Sequence, residues 1–124
     1  MRISASASYL PADIVVVPFP YSDRFAEKVR PALVVSNDRL ARIGFIWIVM
    51  ITSAKRVPLS DDVLIRELEP TGLSAHSVVR PAKIACTEAS RLIGRIGRLR
   101  DDEAAAVFLK LHDFLASSDR PQSA

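Results

Sequence analysis

Short β-branched apolar runs fill the first two thirds of the chain, and one clear helical period closes it. Asp13 to Phe19 (D-I-V-V-V-P-F) is valine-rich and bounded by Pro18 and Pro20, which predicts a strand. Pro20 to Val29 has no apolar period and holds Tyr21, Phe25 and Lys28. It is too long for a hairpin turn, and loops of that kind are usually functional or mobile. Ala32 to Ser36 predicts a second strand, with Pro31 at its entrance, where a missing N–H costs least. Asn37 to Gly44 carries turn formers at both ends and has room for one helical turn. Phe45 to Ile51 is apolar throughout, Trp47 included. Its length and β-branched content favour a strand buried on both faces over a buried helix.

Val63 to Leu68 reads as a weaker strand and Glu69 to Ala75, with Pro70 and Gly72, as a turn. Ser77 to Thr87 resumes strand character, with Pro81 marking a bend or an edge. Leu92, Ile93, Ile96 and Leu99 have helical spacing, yet Gly94 and Gly97 each weaken a helix by about 1 kcal/mol relative to alanine. Irregular strand and helix both stay open for this piece. From Asp101 onward Ala104, Val107, Phe108, Leu111 and Leu115 keep a helical period, and the acidic first turn complements the helix dipole. Several strands followed by one amphipathic helix predict a small antiparallel barrel or coiled sheet with the helix packed on it. The absence of βαβ alternation argues against a parallel nucleotide-binding sheet.

Length and composition narrow the class. The 124 residues fit one domain, expected over 11–117, with a mobile arm over 1–10 and a polar tail over 118–124. Apolar residues make up 49% and charged residues 25%, a globular composition. No apolar run approaches the roughly 20 residues of a membrane helix, and the first residues lack the apolar core of a secretory signal. Cys86 stands alone, so neither a disulfide framework nor a cysteine-built zinc site is expected. A reducing, cytoplasmic setting follows. The formal charge of +3 permits a polyanionic partner without requiring one.

The candidate chemistry is sparse. There is no phosphate-binding glycine loop and no histidine pair with metal-ligand spacing. His112 lies beside the apolar stripe of the last helix, and His76 lies in a turn. What remains is Arg30 at the entrance of one strand and Thr52 with Ser53 at the end of another. Arginine's planar donor fork suits phosphate, and a hydroxyl can hydrogen-bond a phosphate oxygen. A plainer reading pairs Arg30 with Asp13 or Asp38 and uses the Thr52 hydroxyl to cap a turn.

The order D-I-V-V-V-P-F-P (13–20), R-P-A-L-V-V-S-N-D (30–38), I-T-S (51–53), S-V-V-R-P (77–81) and R-I-G-R-L (95–99) resembles the MazF/PemK toxins of bacterial toxin–antitoxin pairs. That resemblance implies a mainly β (α+β) fold, a small SH3-like antiparallel barrel of the CcdB/MazF/PemK type with a C-terminal amphipathic helix. It also implies a metal-independent, cofactor-free endoribonuclease that cuts single-stranded mRNA to 2′,3′-cyclic phosphate and 5′-hydroxyl ends. Its catalytic pair falls on Arg30 and Thr52, with Ser53, Lys28, Tyr21, Phe25, Arg80 and His76 as supporting or substrate-binding candidates. Expected partners are a cognate antitoxin, single-stranded RNA, operator DNA through the antitoxin complex, and a second copy in a homodimer; no membrane is expected. The alternatives are a non-catalytic CcdB-like toxin that traps a partner such as gyrase, or a degenerate member binding only antitoxin or operator. The chain departs from the family pattern at Ala12, where glycine is common, and at Pro81 and Ala82, where some members carry an acid.

Overall fold

A computed structural model of the chain describes residues 8–18 and 28–116. Six strands form one curled antiparallel sheet: β1 (Asp13–Pro18), β2 (Val29–Val34), β3 (Phe45–Ser53), β4 (Val63–Leu64), β5 (Ser77–Glu88) and β6 (Gly94–Arg98). Their order across the sheet is β4-β5-β3-β2-β1-β6. A four-residue helix α1 (Asp38–Ala41) joins β2 to β3, and the last element is α2 (Asp101–Phe114). The strands followed by one helix are those expected. No helix among the described residues is long and apolar enough to cross a membrane.

The sheet buries both faces, which explains the unbroken apolar runs. On one face Ile14, Leu33, Val49, Ile51 and Val79 pack with Ala104 and Val107 of α2. On the other, Val15, Val17, Ala32, Val34, Ile46 and Ile48 pack with Tyr9 and Leu92. Each fully buried aliphatic side chain stabilises the fold by roughly 1.5–3 kcal/mol relative to exposure. Tyr9 belongs to that second core, so the described chain is already packed inside the span expected to be a free arm. Ala12, where the family pattern has glycine, takes a left-handed φ of 78°.

Several boundaries differ from the sequence expectation. β2 starts at Val29 rather than Ala32, so Pro31 lies within it. The ladder to β1 runs the whole length, whereas the ladder to β3 begins only after the proline, at Ala32. β3 extends to Ser53, and its first half is not buried on both faces, because Phe45 and Trp47 are exposed. β4 shrinks to two residues. Pro81 lies in a register break: Val49 pairs with Ile84 but Met50 with Arg80, so Pro81 to Lys83 bulge from β5. The undecided piece near Leu92 is strand β6. Gly97 is required there, since a Cβ would sit 2.3 Å from the carbonyl carbon of Thr71. Gly97 thus marks a close backbone approach, a strand signal beside the helical spacing of Leu92, Ile93, Ile96 and Leu99. Leu115, counted in the helical stripe, is exposed just beyond α2.

Candidate active site

The β2–β3 register pairs Ala32 with Met50, Leu33 with Val49 and Val34 with Ile48. The ladder ends at Ala32 and Met50; carried two residues further, the same register brings Arg30 towards Thr52. Alternation puts both on the same face. Arg30 continues the stripe of Ala32 and Val34, and Thr52 continues that of Ile46, Ile48 and Met50. The stripe is apolar through the middle of the strands and turns polar where they end. On its other side Arg30 is paired with Val17 of β1, and Thr52 is paired with Val78 of β5. Both candidate groups therefore sit on inner strands of the sheet.

Neither group is bonded to another described residue. Arg30 is half-buried, and no ion pair or hydrogen bond joins its guanidinium to another described residue. The partners that the plainer reading offered it are engaged elsewhere. Asp13 lies against Arg95 (3.5 Å) and Arg98 (3.3 Å), and Asp38 against Arg42 (2.7 Å). Thr52 is largely buried, but its hydroxyl is bonded to no described residue and is not sealed from solvent. Turn capping falls instead to Ser53, whose Oγ accepts the Lys55 N–H at 3.1 Å. Because Ser53 Oγ accepts there, its own proton remains available to a ligand.

The remaining candidates divide. Lys28 is exposed two residues before Arg30. His76 is exposed at the same end of the sheet, where its carbonyl accepts the Ala54 N–H at 3.0 Å. Tyr21 and Phe25 lie outside the described residues, as does most of the loop that carries them. Arg80 shares the face of Met50 and Thr52 but spends its guanidinium inside the protein. Its Nε and Nη2 donate to the two carboxylate oxygens of Asp62 at 3.1 and 3.0 Å, and Nη2 also donates to the Val57 carbonyl at 3.0 Å. Asp62 carried no local sequence signal, because its partner lies eighteen residues away. Lys55 and Arg56, both exposed, add two cations immediately after Ser53.

Chemically, among the described residues this end of the sheet offers an arginine bonded to none of them, two hydroxyls and three exposed cations, with Asp62 neutralised by Arg80. Such a set of donors is suited to a phosphodiester. Arginine stays protonated at neutral pH, so Arg30 can supply charge and donors but cannot act as a base.

A family model described as PemK-like, MazF-like toxin of type II toxin–antitoxin systems matches residues 11–115. The comparison with curated proteins found no match. Among solved structures, a MazE–MazF complex from Deinococcus radiodurans aligns with a TM-score of 0.66 at 23% identity, covering 90% of this chain and 100% of that one. The Mycobacterium tuberculosis toxin MazF-mt6 aligns with a TM-score of 0.64 at 20% identity, covering 82% of this chain and 93% of that one. An endoribonuclease in complex with its cognate antitoxin from a mycobacterial species aligns at 0.64 and 15% identity, covering 89% and 100%. The shared architecture includes the curled sheet and the closing helix.

Proposed function

The chain belongs to the PemK-like, MazF-like toxins of type II toxin–antitoxin systems, and from that premise we propose that it is an endoribonuclease acting on single-stranded RNA. The observation that carries the proposal is Arg30, bonded to no other described residue, at the start of β2 on the same face and at the same end of the sheet as Thr52. The substrate's own 2′-hydroxyl attacks the adjacent phosphorus and the P–O5′ bond breaks, leaving a 2′,3′-cyclic phosphate and a 5′-hydroxyl. No protein nucleophile is required. Arg30 holds the scissile phosphate and offsets the charge that develops on its oxygens. The Thr52 hydroxyl hydrogen-bonds the phosphate and orients the 2′-hydroxyl, with Ser53 beside it. Lys28, Lys55 and Arg56 hold neighbouring phosphates.

The similarity to structures solved with an antitoxin supports a cognate antitoxin as the physiological partner; operator DNA reached through that complex and a homodimer as the working unit belong to the same proposal. A cytoplasmic setting, where messenger RNA is met, is part of the same proposal. The test is incubation of the purified protein with a long single-stranded transcript in EDTA, alongside Arg30→Ala and Thr52→Val, with product ends analysed. Cleavage by the wild type, lost in both variants, is the expected result. A folded wild type that leaves the transcript intact would favour a toxin that acts by trapping a partner. Equal cleavage by all three proteins would keep the activity and remove this site.

A further inference from the structure

The Arg80–Asp62 pair is enclosed: the two side chains are 10% and 9% exposed. A charge buried to that degree has to be paired and hydrogen-bonded, and both conditions are met here. The Asp62 carboxylate takes two donors from Arg80 and a third from the Leu59 amide at 2.9 Å, while Arg80 also reaches the Val57 carbonyl. All three of these loop residues belong to the segment joining β3 to β4. That segment leaves the sheet directly after Thr52 and Ser53, and its first turn carries Lys55 and Arg56. Arg80 itself stands on β5 two residues from Val78, the cross-strand partner of Thr52.

We propose that Arg80 is a positioning residue for the Thr52 site: by way of Asp62 and the Val57 carbonyl it fastens the 54–62 loop, so that Lys55 and Arg56 are presented to RNA phosphates beside Thr52. This assignment rests on the RNA reading above and gives Arg80 a role other than contact with substrate. A guanidinium that already spans a carboxylate and a carbonyl has its donor fork committed. Lysine in its place keeps the charge but cannot bridge the same three oxygens. The register break at Pro81 to Lys83 begins immediately after Arg80, so the pair also pins β5 where its ladder to β3 is interrupted.

The test uses the full chain and a fully 2′-O-methylated single-stranded RNA, which binds without being cut. The variants are Asp62→Asn, Arg80→Lys, the paired apolar replacement Arg80→Met with Asp62→Leu, and Lys55→Ala with Arg56→Ala. The paired replacement leaves no lone buried charge, so it retains the fold where a single truncation would not. Amide exchange across 54–62 is expected to quicken about tenfold in the first three variants, without change in the exchange of β2 and β3. RNA binding is expected to weaken about as much in the paired replacement as in Lys55→Ala with Arg56→Ala, and combining the two should add less than about twofold, because both act on one contact. A direct phosphate ligand behaves otherwise: Arg80→Lys would largely preserve binding, and Asp62→Asn, by releasing the guanidinium, would tighten it. Tighter binding by Asp62→Asn, or unchanged exchange with RNA binding intact, overturns the assignment of Arg80 alone. A folded wild type that binds no RNA removes the nuclease reading and the role of Lys55 and Arg56 with it.

Discussion

Strands β2 and β3 cross the sheet side by side, and their two ends have opposite chemistry. Where β2 begins and β3 finishes stand Arg30, Thr52 and Ser53, followed by Lys55 and Arg56. Where β2 finishes and β3 begins, Val35 and Trp47 line a groove continued by Ile84, Phe108, Leu111 and Phe114. The two regions also lie on opposite faces. Arg30 and Thr52 extend the stripe that packs with Leu92, whereas Val35 packs against the core beneath α2. The same ladder therefore buries its middle and exports two different surfaces. A strand pair delivers to its ends whatever residues alternation puts there, so a polar site and an apolar groove can share one rigid support.

The independence of the two ends gives the largest expected effect. Arg30→Ala should lower the cleavage rate by roughly 10³ and Thr52→Val by roughly 10², the scale seen when one preorganised donor to a developing anion is lost. Thermal unfolding should hardly change, because Arg30 makes no bond to another described residue and valine preserves the shape of threonine. Salt sharpens the contrast next. With about three phosphate contacts, binding of non-cleavable RNA should weaken roughly tenfold or more between about 50 and about 200 mM salt. A salt-insensitive affinity would mean that the cationic end does not lead recognition. At the opposite end, Trp47→Ala should cost about 1 kcal/mol in denaturant unfolding and change cleavage less than about twofold, as expected for separated sites. A large loss of cleavage would show that the two ends are coupled.

The smallest effect belongs to neither end. The Asp102 carboxyl, hydrogen-bonded by Arg66 and by the Glu103 amide, is held below its ordinary value of 3.8, with the Arg66 bond the main cause. A depressed acid stabilises the fold above its unfolded pKa, and that contribution is lost as pH falls through the folded value. Asp102→Asn should therefore lose less thermal stability than the wild type between pH 4 and pH 3. Both residues are largely exposed, so solvent screening keeps the difference small. Equal acid sensitivity in the two proteins would show that this pair contributes nothing measurable.

Much of the fold was legible because burial leaves a local trace. D-I-V-V-V-P-F read as a strand, the length and β-branched content of Phe45 to Ile51 favoured a strand over a buried helix, and the period from Ala104 to Leu111 read as a helix with one buried stripe. Exposure at Phe45 and Trp47 was not legible, since apolar residues lining a groove read the same as apolar residues in a core. The piece from Leu92 to Leu99 was illegible in a different way. Its apolar spacing imitated a helix while Gly94 and Gly97 argued against one, and the reason for Gly97 is the Thr71 backbone across the gap, a contact with no local signature. Among the site candidates, the R-P and I-T-S motifs named Arg30 and Thr52. Nothing near Arg80 announced that it would be spent on Asp62.

The sequence by itself determined the element types, the polar residues at the strand ends and the family, because those depend on residue pattern and motif order. Tertiary structure alone decided which charges are spent and which are free. Asp13 and Asp38 went to Arg95, Arg98 and Arg42, Asp62 went to Arg80, and Arg30 was left unclaimed by any other described residue, at the same end of the sheet as Thr52. The physical reason is that ion pairing follows distance through space, and strand register is what converts positions far apart along the chain into neighbours.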